Sequence, residues 1–303
     1  MIARALFVCA LLASPAWGQS VPDLAFDVAV ARPANRDIHP KVVIDEAHYN
    51  FHTSDARYRP FAELLRNDGY AVIAGAGKFT PDYLLTLDVL VVSNARGAAG
   101  PPDSAKDAFT PAECAAVDGW VRQGGRLLLI ADHAPFGASA RSLAEIFGVQ
   151  MGNGHVFDPV NSGDESSFLV FGGGNGLLAK HPITRGRNSA ERVRVVVTFD
   201  GQSLSVPDGA VALLLLGKGA AEAQDVQQLE AASGTAVRGR AQGVALTHGL
   251  GRVVIMGEAA LFTAQILPDR DNPEISLRFG MNAPGNDDRQ FALNVMRWLS
   301  GAL

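Results

Sequence analysis

Short runs of Val, Leu and Ile recur along the chain from residue 41 and are separated by polar and glycine-containing segments. The first of these runs, "KVVI" at 41–44, predicts a strand. "VLVV" at 89–92 and "LLLI" at 127–130 are continuously apolar, which is typical of strands buried on both faces. "YAVIAG" at 70–75 predicts another strand between the first two. Segments with helical periodicity alternate with these runs. The pattern therefore predicts an α/β fold, a flavodoxin-like three-layer sandwich with a mostly parallel sheet between two layers of helices.

Four segments have the apolar spacing of amphipathic helices. In the first, Tyr58, Phe61, Leu64 and Leu65 fall on one face, as expected for a helix that packs on the sheet. Each helix is preceded by a residue whose side-chain oxygen can accept a hydrogen bond from a free backbone N–H group. These predicted caps are Thr53 or Ser54, Thr110, Ser139, and Asn286 or Asp287.

The region from about 151 to 240 breaks this alternation. Its short strand-like runs are joined by glycine-containing loops, which predicts an antiparallel insertion in the sheet. Within it, residues 219–241 are rich in Ala, Gln and Gly and are expected to form a mobile hairpin tip or loop. Residues 19–40 form a lead-in segment without periodicity. We therefore predict one α/β domain over 41–303 that carries the insertion.

Polar residues cluster at one end of the predicted strands. Ligands of open parallel sheets bind in the crevice beyond the carboxyl ends of the strands, where the chain turns outward. The opposite ends are plainer, with Lys41, Asp88, Arg126 and Arg252. The residues that follow the four strands are Asp45–His52, Ser93–Arg96, Asp132–His133 and Gly257–Glu258. This asymmetry predicts a functional site at the carboxyl edge of the sheet.

The first cluster, "DEAHYNFHT", contains two carboxylates, two imidazoles and an amide within eight residues. His48 and His52 are four residues apart, but no H-E-x-x-H motif is present, and the spacing alone is a weak indication of a metal site. One interpretation has Asp45 and Glu46 capping turns and both imidazoles bound to the backbone. For the cluster as a whole we favour a functional site, to which Asn50 also belongs.

The other strand ends add further candidates. Asp132 and His133 offer an acceptor and a base or metal ligand, and Glu258 is a base, a ligand or a helix-start carboxylate. Ser139 lies in "GASAR", where Arg141 occupies the position that a nucleophile elbow requires to be glycine, so we do not expect a serine nucleophile there. The predicted ligand-binding residues are Asp45, Asn50, Asn94, Asn282 and Asn286.

These residues predict a hydrolase that acts on a small or glycan-type substrate, with Glu46, Asp132, His133 and Glu258 as its acid–base groups. A divalent metal ion could assist by lowering the pKa of a bound water. The expected metal ligands are His48, His52, Asp132 and His133. The alternative is a non-catalytic domain that uses the same crevice to bind a ligand or a protein partner. Hydrolysis is favoured because binding alone seldom requires so many titratable groups at neighbouring strand ends.

Composition and charge restrict the partners. The 303-residue chain has a net charge of −5 and a pI of about 5.8, so no positive field attracts nucleic acid or an anionic membrane. Residues 1–18 have one early cation, Arg4, then an apolar run and small residues at Ala16 and Gly18, which predicts a signal peptide and a periplasmic or secreted protein. After its removal Cys114 is the single cysteine, which we expect in the core.

Four segments together carry a family resemblance: "DEAHYNFHT", "LLLIADHAPFG", "GRVVIMGEAALFT" and "NDDRQFALNVMRWL". In these the chain resembles uncharacterised secreted members of the class I glutamine amidotransferase-like superfamily, related to the soluble domain of gliding-motility ABC-transporter auxiliary proteins. The resemblance covers about 41–300 and implies the flavodoxin-like fold. In the glutamine-hydrolysing members, a catalytic Cys occupies the turn that here carries Asp132–His133. The resemblance therefore does not imply thiol-dependent glutamine hydrolysis.

Overall fold

Fifteen strands lie within the described part of the chain. This computed structural model describes residues 20–163, 165–268 and 276–303, and the predicted signal peptide at 1–18 lies outside them. The strands are β1 (Val21–Pro22), β2 (Lys41–Asp45), β3 (Ala71–Gly75), β4 (Val89–Ser93), β5 (Arg126–Ile130), β6 (His155–Phe157), β7 (Val170–Gly172), β8 (Val195–Val197), β9 (Val211–Leu215), β10 (Ala221–Ala223), β11 (Thr235–Ala236), β12 (Ala241–His248), β13 (Gly251–Met256), β14 (Ala264–Pro268) and β15 (Ser276–Gly280).

Helices connect the strands of the main sheet and close the chain. The α-helices are α1 (Arg59–Asn67), α2 (Pro81–Leu84), α3 (Pro111–Arg122), α4 (Phe136–Ile146), α5 (Pro182–Arg185), α6 (Val226–Glu230) and α7 (Asp288–Ser300). Short 3-10 helices span Asp103–Ala105, Ser189–Glu191 and Ala260–Phe262. Within the described ranges, no helix has the length and apolarity that crossing a membrane would need.

The main sheet has seven strands in the order β3-β2-β4-β5-β13-β12-β9. The first five strands run parallel, and β12 is antiparallel to both of its neighbours, β13 and β9. The predicted fold class, a mostly parallel sheet with an antiparallel extension, is confirmed. Because the long apolar runs lie in the parallel part, they occupy the positions that require burial on both faces.

Two hydrophobic cores lie on opposite faces of this sheet. Val42 and Ile44 of β2 pack in one core, together with residues of α1 and α7. Val43, between them, points to the other core, to which α3 and α4 contribute. Successive side chains of a strand point to opposite faces, so one apolar run supplies both cores and fixes the three-layer arrangement.

The region predicted as an insertion forms small antiparallel units. β10 pairs with β6 and β11, and β7 pairs with β8. Residues 219–241, for which the sequence predicts a mobile loop or hairpin tip, contain β10, α6 and β11. The apolar side chains of Phe157, Ala223 and Leu229 pack together beneath these elements. The Ala- and Gln-rich composition of this segment gives no indication of the small core that it forms.

Two of the predicted helix caps are wrong. α1 begins at Arg59 rather than after Thr53, because the N–H and hydroxyl of Ser54 bind the Glu46 carboxylate and hold this segment in turns. α4 begins at Phe136, so Ser139 lies inside the helix, where its hydroxyl donates to the carbonyl of Ser104. In both cases the serine hydrogen-bonds to another segment of the chain instead of capping the helix.

The other two helix starts follow the sequence. Thr110 and Glu113 form a reciprocal capping box at the start of α3. At α7, Asn286 accepts a hydrogen bond from the N–H of Asp288, whereas the carboxylate of Asp287 binds the N–H groups of residues 194 and 195. Asp287 is thus the N-cap residue but does not cap the helix with its side chain; Asn286, one residue earlier, binds the first N–H of α7, and Asp287 docks the helix onto the insertion.

A buried ion pair joins the end of α1 to α7. The guanidinium of Arg297 donates two hydrogen bonds to the Asp68 carboxylate, at 2.8 and 2.7 Å, and both side chains are at most 2% exposed. Asp68 also accepts the N–H of Ala34, at 2.9 Å, so the lead-in segment is held at the same point. Paired charges with this bidentate geometry offset much of the cost of burial.

We expect Arg297→Leu to lower the free energy of unfolding by about 3–5 kcal/mol, because the substitution leaves the buried Asp68 carboxylate without its cation. Urea denaturation at neutral pH measures this change. The matched control is Arg66→Leu, which removes the exposed ion pair of Arg66 with Glu63 and should cost about 0–1 kcal/mol. Equal losses in the two variants would contradict this account of the pair.

Candidate functional site

The register of the parallel strands brings several polar strand ends to one edge of the sheet. Ser93 of β4 is level with Ile130 of β5, and Ile130 is level with Met256 of β13. The residues that follow these three positions therefore leave the sheet side by side at its carboxyl edge, as the sequence predicts. We call this edge the crevice; it is bordered by the turns after β2, β4, β5 and β13.

Asn94 connects three of these turns. Its side-chain oxygen accepts the N–H of Asp132 at 2.9 Å, and its backbone carbonyl accepts the N–H of Phe51. Its backbone lies in the left-handed region, with φ +46°, where asparagine is better tolerated than most residues. Asn94 was predicted to bind ligand, but these bonds instead use its side-chain oxygen to position the turns.

His48 is enclosed below the crevice between two carboxylates. Its Nδ1 lies 2.9 Å from Asp45 and its Nε2 lies 3.1 Å from Glu113. The rings of Phe79 and Phe109 lie 4.6 and 4.9 Å from the imidazole. Burial opposes protonation, but hydrogen bonds and charge interactions with Asp45 and Glu113 outweigh it and raise the pKa of His48. Both ring nitrogens of His48 are engaged by carboxylates, so its position does not support the predicted role as a metal ligand.

The other polar residues of the first cluster are also largely occupied by one another. The amide of Asn50 donates to Asp45 at 3.0 Å, and its side-chain oxygen accepts the N–H of His48. Glu46 binds the N–H and hydroxyl of Ser54, each at 2.7 Å. The interpretation in which these side chains organise turns therefore fits Asp45, Glu46 and Asn50 better than the predicted ligand-binding and catalytic roles.

Glu258 is completely buried at the end of β13. One carboxylate oxygen accepts the N–H of Ala260 at 2.6 Å, and the other accepts the N–H of Leu261 at 2.9 Å. Burial, reinforced by the negative charge of Asp132, raises the pKa of Glu258 well above its usual range. Glu258 thus lies near Asp132, as predicted, but both of its oxygens cap the following 3-10 helix.

Asn282 and Asn286, two predicted ligand-binding residues, bind local groups of the chain. The amide of Asn282 donates to Asp23 and to the carbonyl of Gln265, within the small sheet of β1, β14 and β15. The amide of Asn286 donates to the carbonyl of Gly280. Neither contacts the crevice residues, so the prediction of ligand binding by this pair is not supported by their positions.

Asp132 and His133 lie in the crevice with parts of their side chains accessible. The N–H of His133 donates to Asp132 at 2.9 Å, and its Nδ1 donates to the carbonyl of Ala134 at 2.9 Å. Partial burial raises the pKa of Asp132, and the negative charge of Asp200 adds to this effect. Burial alone would lower the pKa of His133, but Asp132 and Asp200 outweigh it and raise that pKa.

The insertion supplies a second imidazole, that of His155, next to His133. The ring of His155, at the start of β6, stacks on that of His133 with 4.6 Å between centroids. Nδ1 of His155 binds the Asp200 carboxylate at 2.8 Å, and Nε2 has no hydrogen-bond partner among the described residues. Nothing in the sequence pattern indicated that a distant aspartate would orient His155.

Asp200 reaches His155 because the next residue is glycine. A Cβ on Gly201 would lie 2.5 Å from the carbonyl oxygen of Gly257 and 2.8 Å from Cβ of Glu258. Asp200 itself has φ +86°, a left-handed conformation that costs of order 1–3 kcal/mol outside glycine. Its Oδ1 is buried and has no hydrogen-bond partner in the part of the chain that the structure describes. The "DG" pair at the end of a strand-like run was the signal that could have identified this aspartate.

Aromatic rings connect His52 to the two stacked imidazoles. His52 lies edge-on to Phe51 at 5.2 Å, and Phe51 lies 5.9 Å from Phe136. Phe136 is in turn 6.3 Å from His133. These rings form an apolar wall between His52 on the β2 side and His133 on the β5 side of the crevice.

The four predicted metal ligands do not form one site. His48 has no free nitrogen, and His52 and His133 lie at opposite ends of the chain of aromatic rings. Among residues 20–163, 165–268 and 276–303, no group of three or more His, Cys, Asp or Glu side chains is arranged to hold a metal ion. The donor atoms therefore do not fit the predicted metal centre.

No family model matches the chain, and a search of curated proteins also finds no match. Solved structures do match. The structure described as the "mmIFT52 N-terminal domain" aligns with a TM-score of 0.59 at 16% identity, covering 86% of this chain and 97% of that one. At this identity the likeness shows a shared fold alone.

Two weaker structural matches come from amidotransferase-like folds. A ThuA-like protein from Bacteroides uniformis aligns with a TM-score of 0.46 at 13% identity, covering 89% of this chain and 93% of that one. A GMP synthase homologue from Thermoplasma acidophilum aligns with a TM-score of 0.43 at 12% identity, covering 88% and 96%. No functional conclusion follows from either match.

The enclosed imidazole of His48 makes stability depend on pH. The pKa of His48 is higher in the folded than in the unfolded protein, so its ionic hydrogen bonds stabilise the fold fully below about pH 6.5. This stabilisation is lost as the pH rises through the pKa that His48 has in the folded protein. We expect His48→Gln to lower the free energy of unfolding by about 1.5–3 kcal/mol at pH 6, and by less at pH 9. Denaturant unfolding at both pH values measures the difference.

His39→Gln is the control, since His39 is exposed and makes a single bond to the carbonyl of Gly69. If His48→Gln lowered the free energy of unfolding more at pH 9 than at pH 6, the result would contradict a protonated imidazole between Asp45 and Glu113.

Proposed function

We propose that the crevice is the active site of an extracytoplasmic hydrolase that acts by acid–base chemistry. One observation carries the proposal: the stacked rings of His133 and His155, with Asp132 and Asp200 beside them. Paired imidazoles with different surroundings can hold different protonation states, which is what an acid and a base at one site require. No metal is needed for this chemistry.

His155 is the proposed general base. Its Nδ1–H is held by Asp200 at 2.8 Å, which leaves the lone pair of Nε2 to take a proton from water. A carboxylate that fixes the tautomer and orientation of an imidazole performs this task in other hydrolytic sites. The buried, unpartnered Oδ1 of Asp200 adds negative charge that stabilises the imidazolium formed in the reaction.

His133 is the proposed general acid. Asp132 and Asp200 raise its pKa, so that it can carry a proton near neutral pH, and the bond from Nδ1 to the carbonyl of Ala134 leaves Nε2–H to face a leaving group. Water would lose one proton to His155 while its oxygen bonds to the scissile centre. The leaving group departs with its electron pair and takes the proton of His133, and proton return from His155 to His133 completes the cycle.

The walls of the crevice favour a small or glycan-type substrate. Phe51 is 37% exposed, and its ring and that of Phe136 offer an apolar surface beside the two imidazoles. Aromatic faces next to a few polar groups are common in sites for small ligands. The scissile bond would lie across this surface, within reach of His133 and His155.

We expect His155→Gln to reduce kcat/KM by about 10²–10⁴-fold, because the substitution removes a general base. A panel of p-nitrophenyl glycosides, esters and phosphates measures the activity. The matched control is His248→Gln, since His248 also binds an aspartate, Asp118, at 2.6 Å, but is the last residue of β12, away from the crevice. Equal activity in the two variants, or no turnover of any substrate class, would contradict the proposal.

A non-catalytic ligand-binding domain is the second candidate function. It is favoured because two carboxylates predicted to be catalytic already bind other groups of the protein: both oxygens of Glu258 accept backbone N–H groups, and Glu46 binds Ser54. It is also consistent with buried hydroxyls at Ser93 and Ser139, neither of which is placed as a nucleophile. Ligand binding without turnover would support this function instead.

We further infer that the protein belongs to the class I glutamine amidotransferase-like superfamily but does not use a thiol nucleophile. Its sheet order and the strand-end motifs support the first part. The position of Cys114 supports the second, since its thiol lies in α3 and contacts the hydroxyl of Ser142 at 3.6 Å. Burial raises the pKa of this thiol, which opposes formation of a reactive thiolate.

We also propose export from the cytoplasm through cleavage of the N-terminal segment. Mass spectrometry of protein expressed in a Gram-negative host should find, in the periplasm or medium, a chain that lacks its first 16 or 18 residues. A variant without residues 2–18 is the control and should remain in the cytoplasm at its full mass. Intact, uncleaved full-length protein in the cytoplasm would contradict this proposal.

A further inference from the structure

A chain of three hydrogen bonds runs from the turn after β2 to the end of β13. The hydroxyl of Tyr58 donates to the carbonyl of Ala259 at 3.2 Å, and the hydroxyl of Ser93 donates to that of Tyr58 at 2.9 Å. Nδ1 of His52 lies 3.1 Å from the oxygen of Ser93. Tyr58 and Ser93 are completely buried, and His52 is 3% exposed. We call this chain the hydroxyl relay.

The direction of every proton in the relay is fixed from its far end. A backbone carbonyl can only accept, so the single hydroxyl proton of Tyr58 points to Ala259. Ser93 must then donate to Tyr58, because that oxygen has no second proton to offer. The oxygen of Ser93 is left as an acceptor, and Nδ1 of His52 must carry the proton in their bond.

With the proton on Nδ1, the other nitrogen of His52, Nε2, is unprotonated as long as the ring is neutral. Nε2 makes no hydrogen bond with any residue in the described ranges, while the ring is held by stacking on Tyr58 at 4.6 Å and 11°. Burial, together with the positive charge of Arg57, lowers the pKa of His52 to about 3. The ring thus stays neutral at any physiological pH, unlike His133 across the crevice.

We propose that His52 is a specificity-determining residue, whose Nε2 is a fixed hydrogen-bond acceptor that selects ligands presenting a hydroxyl or N–H group. Tyr58 and Ser93 are positioning residues that set its tautomer. Ligand groups that can only accept, such as carboxylate or phosphate oxygens, would meet a lone pair and be disfavoured at this point. This selectivity rests on the proposed role of the crevice as a ligand site, whereas the tautomer does not.

Nitrogen-15 NMR of the histidine rings of the whole protein tests the relay directly. At pH 7 and pH 5 we expect one histidine, identified by its loss in His52→Gln, with a protonated Nδ1 and an unprotonated Nε2. In Tyr58→Phe the Ser93 hydroxyl is free to turn towards His52, so the Nε2–H tautomer should become populated. The matched control is Tyr70→Phe, which removes a buried hydroxyl bonded to Ser300 far from the crevice, and should leave His52 unchanged.

Ser93→Ala is the second variant in case Tyr58→Phe does not fold, and it should also end the exclusive Nδ1–H tautomer. An imidazolium or an Nε2–H ring in the wild type, or a tautomer that both variants leave intact, would overturn the proposal. The ligand preference is tested with methylammonium and acetate as probes. The Nε2 resonance of the wild type should shift with methylammonium and not with acetate; the reverse would overturn the selectivity. Absence of hydrolysis in the substrate panel would leave the NMR result unaffected.

Discussion

The hydrogen-bond register of the parallel strands is the constraint on which the site depends. Once β4, β5 and β13 pair with Ser93, Ile130 and Met256 at the same level, the residues that follow must leave the sheet side by side. Burial of the apolar runs on both faces holds this register, because a shift by one residue would exchange the side chains of the two cores. The crevice is thus a consequence of core packing, and its chemistry depends on which side chains remain free there.

Most of the charged groups at this edge stabilise the turns. Asp45 and Glu113 enclose His48, and Glu258 caps the helix that follows its strand. Such bonds lower the cost of placing acids near a hydrophobic core. The groups that we propose as acid and base are His133 and His155, whose rings stack where the insertion meets the main sheet. The carboxylates of Asp132 and Asp200 lie beside these two imidazoles.

The sequence predicted the sheet, the helices on both faces and the edge at which polar residues meet. It could do so because apolar runs and caps such as Thr110 are local signals. It failed at Asp200 and His155, which are 45 residues apart and meet only after the insertion folds. The role of His48 was also missed. In the sequence its partner Glu113 looks like an ordinary capping residue, and only the folded structure brings it to His48. Pair contacts across distant segments leave no periodicity to detect.

The ion pair of Asp68 with Arg297 has a consequence for the order of folding. The two residues are 229 positions apart, and Arg297 lies in α7, which follows every strand of the main sheet along the chain. During synthesis the aspartate exists long before its cation, so the first helix cannot settle in its final place with its charge matched until α7 has emerged. A ribosome-bound fragment that stops before α7 would leave the face of the sheet that α7 covers exposed to solvent. The synthesis of α7 is therefore the step that completes this core.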